Sequence, residues 1–324
     1  MITYNMINCW GVNGMLGSII NVSTQVFILM ILIGTGFLCG KIRLFNDASI
    51  QQLSSFVLKV VAPCAIIESL YREFDVATLF AMLRVMVIAA AVYLLSSILS
   101  YAFIRGGGRE TVRVLRFGVI FGNCGYMGLP LLQVLFGADG MLYGASYILV
   151  YNIVQWTFGL FVISGDRKEV RPAKLLNPAL MGVAIGLAIF LTSIKLPEII
   201  FRPVSYFSAL NVPVPMVITG YYLSKADLKA IWKHVEYYKT ILLRLVIVPL
   251  IAILALRVTG FDSVLLISCV VSASVPVAAA TTMLATVYHQ DAETAANIVS
   301  ISTILSMITL PLSVAFAQFL FGAL

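Results

Sequence analysis

Charge is what this chain has least of. Only 11% of its 324 residues are Asp, Glu, Lys or Arg, where soluble domains carry about 25%. Hydrophobic residues make up 61%, and the mean hydropathy is +1.02. A chain with so little polar surface has lipid as its solvent. Histidine is scarce too. His234 and His289 stand in or near loops, with no Cys, Asp or Glu arrangement of metal-site type, so no metal is expected. The five cysteines, Cys9, Cys39, Cys64, Cys124 and Cys269, are odd in number and not spaced as metal ligands. Four lie in apolar runs and read as small buried hydrophobes. A Gly-x-Ser-x-Gly elbow, a His-Glu-x-x-His pair and a phosphate-binding Gly-Lys motif are all missing. That removes the basis for an enzyme, an ATP-driven pump or a bound cofactor. Met1–Gly14 has no positive n-region and no small-residue cleavage pattern, so it is not expected to be a signal peptide.

What the chain does have is long apolar runs. Ten segments can be drawn: Leu16–Cys39, Ile50–Leu70, Ala77–Ile104, Val114–Phe136, Met141–Ser164, Leu175–Ile194, Val204–Leu223, Tyr237–Val258, Val264–Tyr288 and Ala295–Leu320. Runs of this length predict membrane-spanning helices; barrel strands are shorter and alternate. The expected fold class is therefore an all-α integral membrane protein of ten transmembrane helices. The net charge of +7 is placed for membrane orientation and not for nucleic acid. Lys41 and Arg43 lie in the first loop, and Arg105, Arg109, Arg113 and Arg116 in the third. The fifth holds Arg167, Lys168, Arg171 and Lys174, the seventh Lys225, Lys229, Lys233 and Lys239, fourteen in all. The opposite side has four: Arg72, Lys195, Arg202 and Arg257. The positive-inside rule puts the odd-numbered loops in the cytoplasm and both termini outside a cell membrane. Lys59, Arg84 and Arg244 fall within spans.

Segment four is unlike an ordinary span. Phe121–Pro130 reads Phe-Gly-Asn-Cys-Gly-Tyr-Met-Gly-Leu-Pro. Gly122, Gly125, Gly128 and Pro130 loosen helical geometry, and Asn123 puts an amide at the same depth. Non-helical backbone at membrane depth is tolerated only inside protein or beside a wet cavity, so this stretch predicts a discontinuous helix of the transporter type. The chain also divides into two sets of five segments, 15–164 and 174–324, joined by a short linker, 165–173, after a tail, 1–14. An odd number of spans per set makes the copies inverted. Pro63 and Pro215, Asp75 and Asp227, and Asp139 and Asp291 each recur at one offset. Segment nine, the counterpart of segment four, carries Pro276 among Ser272, Ser274, Thr281 and Thr282. A proline-and-small-residue cluster in the corresponding segment of both halves points to a binding site.

The individual residues carry competing roles. Asn123 either satisfies its own broken helix or contacts substrate. Lys59 lies near the middle of segment two, one turn before Pro63, and either attracts an anion or snorkels or sits at a dimer contact. Glu68 and Arg84 are expected to pair across segments two and three. Asn152 and Gln155 share a face and either line the cavity with Tyr147 and Tyr151 or join helices.

These residues resemble the auxin efflux carrier family, which includes bacterial permeases for malate and malonate and plant auxin exporters. The resemblance runs from about Ile19 to Leu320. It is carried by the stretch around Pro63, Asn123-Cys-Gly-Tyr-Met-Gly-Leu-Pro130, Phe136-Gly-Ala-Asp139, the Pro276 cluster, Ser302-Thr303 and Leu310-Pro311. It implies two inverted repeats whose segments four and nine break and cross at the prolines near the midplane. It implies a scaffold of segments one, two, six and seven, often homodimeric, and a mobile transport domain of three to five and eight to ten. The short linker fits a bacterial-type permease. One departure stands out: plant exporters carry an acid and a lysine in segment three, where this chain offers only Arg84, and proton binding there is not supported. Nor does this chain show the glutamate-rich crossover of the related bile-acid sodium symporters.

A crossover has an electrostatic consequence. Half-helix N-termini facing a cavity present unpaired N–H groups and partial positive charge, and these bind carboxylates. The expected substrate site is Asn123, Gly125, Tyr126, Gly128 and Pro130 with Asn152 and Gln155, Ser274, Val275 and Pro276, and Lys59 and Pro63. The expected function is secondary transport of a small organic anion, a carboxylate, by alternating access. The alternative is a non-transporting membrane receptor that binds the same ligand.

Overall fold

The computed structural model describes residues 12–166, 168, 178–225 and 235–322. The tail up to residue 11 with Cys9, most of the linker, and Arg167, Arg171, Lys174, Asp227, Lys229, Lys233 and His234 lie outside the described residues.

The described chain is helical, and its β-structure is a single isolated bridge. In chain order the helices are α1 (Val12–Lys41), α2 (Asp47–Leu70), α3 (Val76–Phe103), α4 (Arg109–Ile120), α5 (Cys124–Ser164) and α6 (Pro178–Thr192). After them come α7 (Glu198–Ala209), α8 (Pro213–Ser224), α9 (Val235–Leu256), α10 (Ser263–Ser274), α11 (Ala280–Val287) and α12 (Ala292–Phe321). Among the described residues, α2, α3, α5, α9 and α12 are long and apolar enough to cross a membrane, and Phe27–Lys41, Leu180–Thr192 and Ser263–Ser274 are shorter apolar helices. Many large apolar side chains face outward, such as Val87 at 70% and Leu94 at 64% exposure. That is the surface of a protein whose solvent is hydrocarbon.

Three prolines shape helices without ending them. π turns close at Val61, Gly128 and Ile247, each two residues before Pro63, Pro130 or Pro249. A proline lacks its N–H and crowds the preceding turn, and a local π adjustment re-satisfies the backbone in lipid. Segment seven departs from expectation. It is two helices, α7 and α8, separated before Pro213, which occupies the first turn of α8, where a missing N–H costs least. Arg202, expected in a loop, sits on α7 and pairs with Glu198 one turn earlier at 2.6 Å.

α5 has 41 residues. A straight helix of that length would reach roughly 60 Å, twice the hydrocarbon core of about 30 Å. It bends at Gly137, whose φ of 58° suits glycine alone at low cost. This is the Phe136-Gly-Ala-Asp139 turn read from the sequence. α1 and α8 pack backbone to backbone: a Cβ on Gly220 would overlap the Ile33 carbonyl, the close approach that small residues allow between membrane helices.

Contacts between connections fall into two sets. At one end, Asp47 pairs with Lys225 at 2.7 Å, Thr111 donates to Asp291 at 2.8 Å and Arg113 reaches Gln290 at 3.5 Å. At the other, Arg72 pairs with Asp139 at 2.9 Å, the Phe74 N–H donates to Ser193 at 2.9 Å and Glu73 faces Lys195 at 3.4 Å. The first set joins odd-numbered loops of the sequence reading, and the second joins even-numbered ones.

Candidate substrate site

The chain leaves helical geometry between α4 and α5 and again between α10 and α11, and the two gaps lie against each other. Gly122 bridges Val277 in antiparallel fashion. The Asn123 N–H donates to the Pro276 carbonyl at 2.7 Å, and the Ala278 N–H donates to the Phe121 carbonyl at 3.0 Å. Each gap thus supplies the other with the partners that lipid withholds. The Val277 N–H finds a third partner, the Ser302 hydroxyl, at 3.1 Å. In segment nine the cause of the break is local. Pro276 has no N–H to continue α10, and Val275 before it is extended, with ψ 151°, as a residue preceding proline prefers. In segment four the crossing is not at the proline. Pro130 lies past the crossing, inside α5, where the π turn Cys124–Gly128 absorbs its missing donor. The expectation that both segments cross at their prolines therefore holds for Pro276 alone.

Asn123 is 4% exposed, and its side chain makes no hydrogen bond to a described residue. It lines a cavity of about 10 Å³ together with Thr219, Tyr222, Leu223, Ala279, Ser300 and Thr303. That is room for about one water. An unpartnered amide, able to donate and accept, thus faces a small, partly open space between the crossing and α8.

The other expected residues scatter around this point. Gly125 has open space where a Cβ would stand, and a Cβ on Gly128 would meet Val275 at 3.5 Å. Tyr126 packs beside α2 and α8, its hydroxyl 3.5 Å from the Ser54 carbonyl. Ser274, Val275 and Pro276 are buried at the second gap, the Ser274 hydroxyl without a partner among the described residues. Asn152 donates to the Ile148 carbonyl of its own helix at 2.9 Å. Gln155 is buried, with its carbonyl oxygen unpartnered among the described residues. Neither is among the residues that line the cavity. Lys59 is exposed on the outside of α2. Pro63 packs on Gly182 of α6, away from the crossing. Glu68 and Arg84 do not pair. Glu68 accepts from Ser205, and Arg84 lies over the Phe261 ring at 4.9 Å, because α2 packs on α7 at that level.

Sequence reasoning passed over the charge nearest the crossing. Arg244, on the π turn of α9, is 1% exposed. Its Nε donates to the Val275 carbonyl at 3.0 Å, and its guanidinium lies so close to Gly122 that a Cβ there would overlap it. No ion pair joins it to an acidic side chain among the described residues. The signal was present, since Arg244 is one of three basic residues within spans. Thr219 and Tyr222 gave no comparable signal; only the packing of α8 brings them to Asn123. Behind the crossing, Tyr93 stacks on Phe121 at 5.8 Å and approaches Cys124 Sγ at 3.8 Å. Cys124 in turn donates to the Ser272 carbonyl at 3.4 Å.

Comparison with known proteins points to membrane transporters. An uncharacterized transporter of Methanothermobacter thermautotrophicus is 25% identical over 294 residues, covering 89% of this chain and 95% of that protein. One from Methanocaldococcus jannaschii is 22% identical over 307 residues, covering 89% and 96%. The family described as membrane transport protein matches residues 21–174 and 168–314. With nearly the whole chain matched, this multi-pass membrane protein belongs to the membrane transport protein family, that of the auxin efflux carriers its crossing residues resemble.

Proposed function

We propose that this transporter is a secondary carrier for a small organic anion, a carboxylate, which binds at the crossing and is exposed to each side of the membrane in turn. The observation that carries this is Asn123: a buried, unpartnered amide facing a small, partly open cavity beside two broken helices. The second half-helices start at Cys124 and Ala280. The Cys124, Thr281 and Thr282 N–H groups are taken by the Gly122, Ala278 and Ala279 carbonyls, so it is the partial positive charge of the two helix ends that favours an anion. A cavity of about 10 Å³ is too small for a carboxylate, so loading requires the crossing and α8 to part. That is what alternating access does.

The same proposal includes ten spans in two inverted repeats, with a scaffold built from α1, α2 and α6–α8 that pairs with a second copy. The remaining helices form the transport domain. The separation of loop contacts into odd and even sets supports this arrangement, as does the basic asymmetry, which favours a cell membrane with both termini outside.

The test is counter-flow in proteoliposomes loaded with unlabelled malonate or malate and diluted into the labelled acid. Transient accumulation of label against its gradient supports a carrier. Saturable binding without any flux would replace the carrier by a receptor.

A further inference from the structure

Arg244 has no acidic partner among the described residues, yet it is buried at membrane depth. An ionisable residue there is costly and is kept where something compensates it. What surrounds this one is backbone. Val275, whose carbonyl accepts from Nε at 3.0 Å, is the residue on which α10 ends. Gly122, against which the guanidinium lies, follows Phe121, on which α4 ends. Two half-helix C-termini therefore converge on one guanidinium. Each such end carries unsatisfied carbonyls and about half a negative charge, so a single fixed positive charge balances the pair.

In carriers with broken helices, unwound carbonyls and half-helix C-terminal ends are where a coupling cation is coordinated. We propose that Arg244 is the resident cation of this crossing. Its guanidinium fills the position that a sodium ion would otherwise take, and the crossing holds together without one. This rests on the carrier reading and deepens it: the anion site needs no sodium to assemble. A tethered cation cannot be released, so it travels with the helices that it joins.

The inference is tested without substrate, which separates its failure from failure of the carrier reading. Thermal unfolding of the purified full chain is compared in sodium chloride and choline chloride. The wild-type midpoint is expected to be the same in both. Arg244→Ala should unfold at lower temperature, and methylguanidinium, and to a lesser degree sodium, should raise its midpoint in a saturable way while choline does not. Ligands that bind the native state act in this manner. A sodium-dependent rise in the wild type overturns the proposal. So does an Arg244→Ala protein indifferent to both cations, which would make Arg244 a packing residue only. If Arg244→Ala does not accumulate, Arg244→Lys keeps the charge; its midpoint should ignore sodium, and a sodium shift in it counts against the proposal.

Discussion

Gly122→Ala is the smallest change that tests the crossing. The new methyl group would overlap the Arg244 guanidinium and stand 2.9 Å from a Val275 methyl. Neither neighbour can yield cheaply. Val275 is 0% exposed, and Arg244 is held to the Val275 carbonyl. Overpacking of this kind costs about 1–3 kcal/mol. Displacing the guanidinium also forfeits a hydrogen bond to a charged group, about 1.5–3 kcal/mol. Together these lower stability by roughly 2.5–6 kcal/mol. Gly125→Ala is the control, three residues on and chemically identical. Nothing lies within 4 Å of its new methyl group, and alanine is favoured over glycine in a helix by up to about 1 kcal/mol. Reversible unfolding in mixed detergent micelles gives both values. Gly122→Ala should unfold far more readily than wild type, and Gly125→Ala should match or exceed it. If Gly122→Ala stays within about 0.5 kcal/mol of wild type, the range of an ordinary surface substitution, the close approach of Arg244 to the crossing is wrong.

The remaining predictions address binding, orientation and pH. Asn123→Ala should fold and insert but bind a carboxylate roughly tenfold to a hundredfold more weakly, the loss of one hydrogen bond to a charged group; unchanged affinity by calorimetry removes Asn123 from the site. In a background with the native cysteines replaced, Asp139→Cys should label from outside intact cells, and Lys168→Cys only after permeabilisation; outside labelling of position 168 inverts the proposed topology. Asp75 caps α3, accepting from the Ala77 and Thr78 N–H groups at 3.2 and 2.9 Å, and these bonds hold its carboxyl below the usual carboxylate range. Its stabilisation is therefore present above the unfolded-state carboxylate pKa and lost as pH falls through the lower folded-state value. Asp75→Ala should flatten the acid side of the stability profile, and a profile identical to wild type would show that the cap contributes nothing.

Helices were legible in this sequence because lipid leaves them few alternatives, and Val76–Phe103 follows the apolar run Ala77–Ile104 within a residue at each end. The crossing was legible at Asn123 and Pro276 because broken backbone at depth needs glycine, proline and polar side chains together. Pro130 misled because a π turn and a true break draw on the same residue types. Which of them forms depends on whether a partner strand is near, and that partner lies more than a hundred residues away in sequence. Lys59 was legible in depth but not in direction. Its depth in segment two could be counted, but the face it takes depends on how α2 packs on α6 and α7. Arg244 was hidden by its solitude: a sequence shows acidic partners, and this charge is set against helix ends instead.

The polar bonds at the crossing all run one way. Asn123 to Pro276, Ala278 to Phe121, Val277 to Ser302, Arg244 to Val275 and Cys124 to Ser272 tie α4, α5, α9, α10, α11 and α12 to one another. Across the cavity, Thr219 turns back to the Pro215 carbonyl of its own helix at 2.8 Å, and no hydrogen bond joins α8 to the crossing among the described residues. The contact from α2, Tyr126 to the Ser54 carbonyl, is long at 3.5 Å. α8 is instead fastened to α1 by the close backbone approach at Gly220. Breaking a buried hydrogen bond leaves groups that lipid cannot satisfy, whereas sliding apolar surfaces past each other leaves none. The seam between Asn123 and α8 can thus part without breaking a hydrogen bond among the described residues. It is also where the unpartnered amide faces, so under the carrier proposal the surface that opens to admit an anion is one that the bonding pattern leaves free to move.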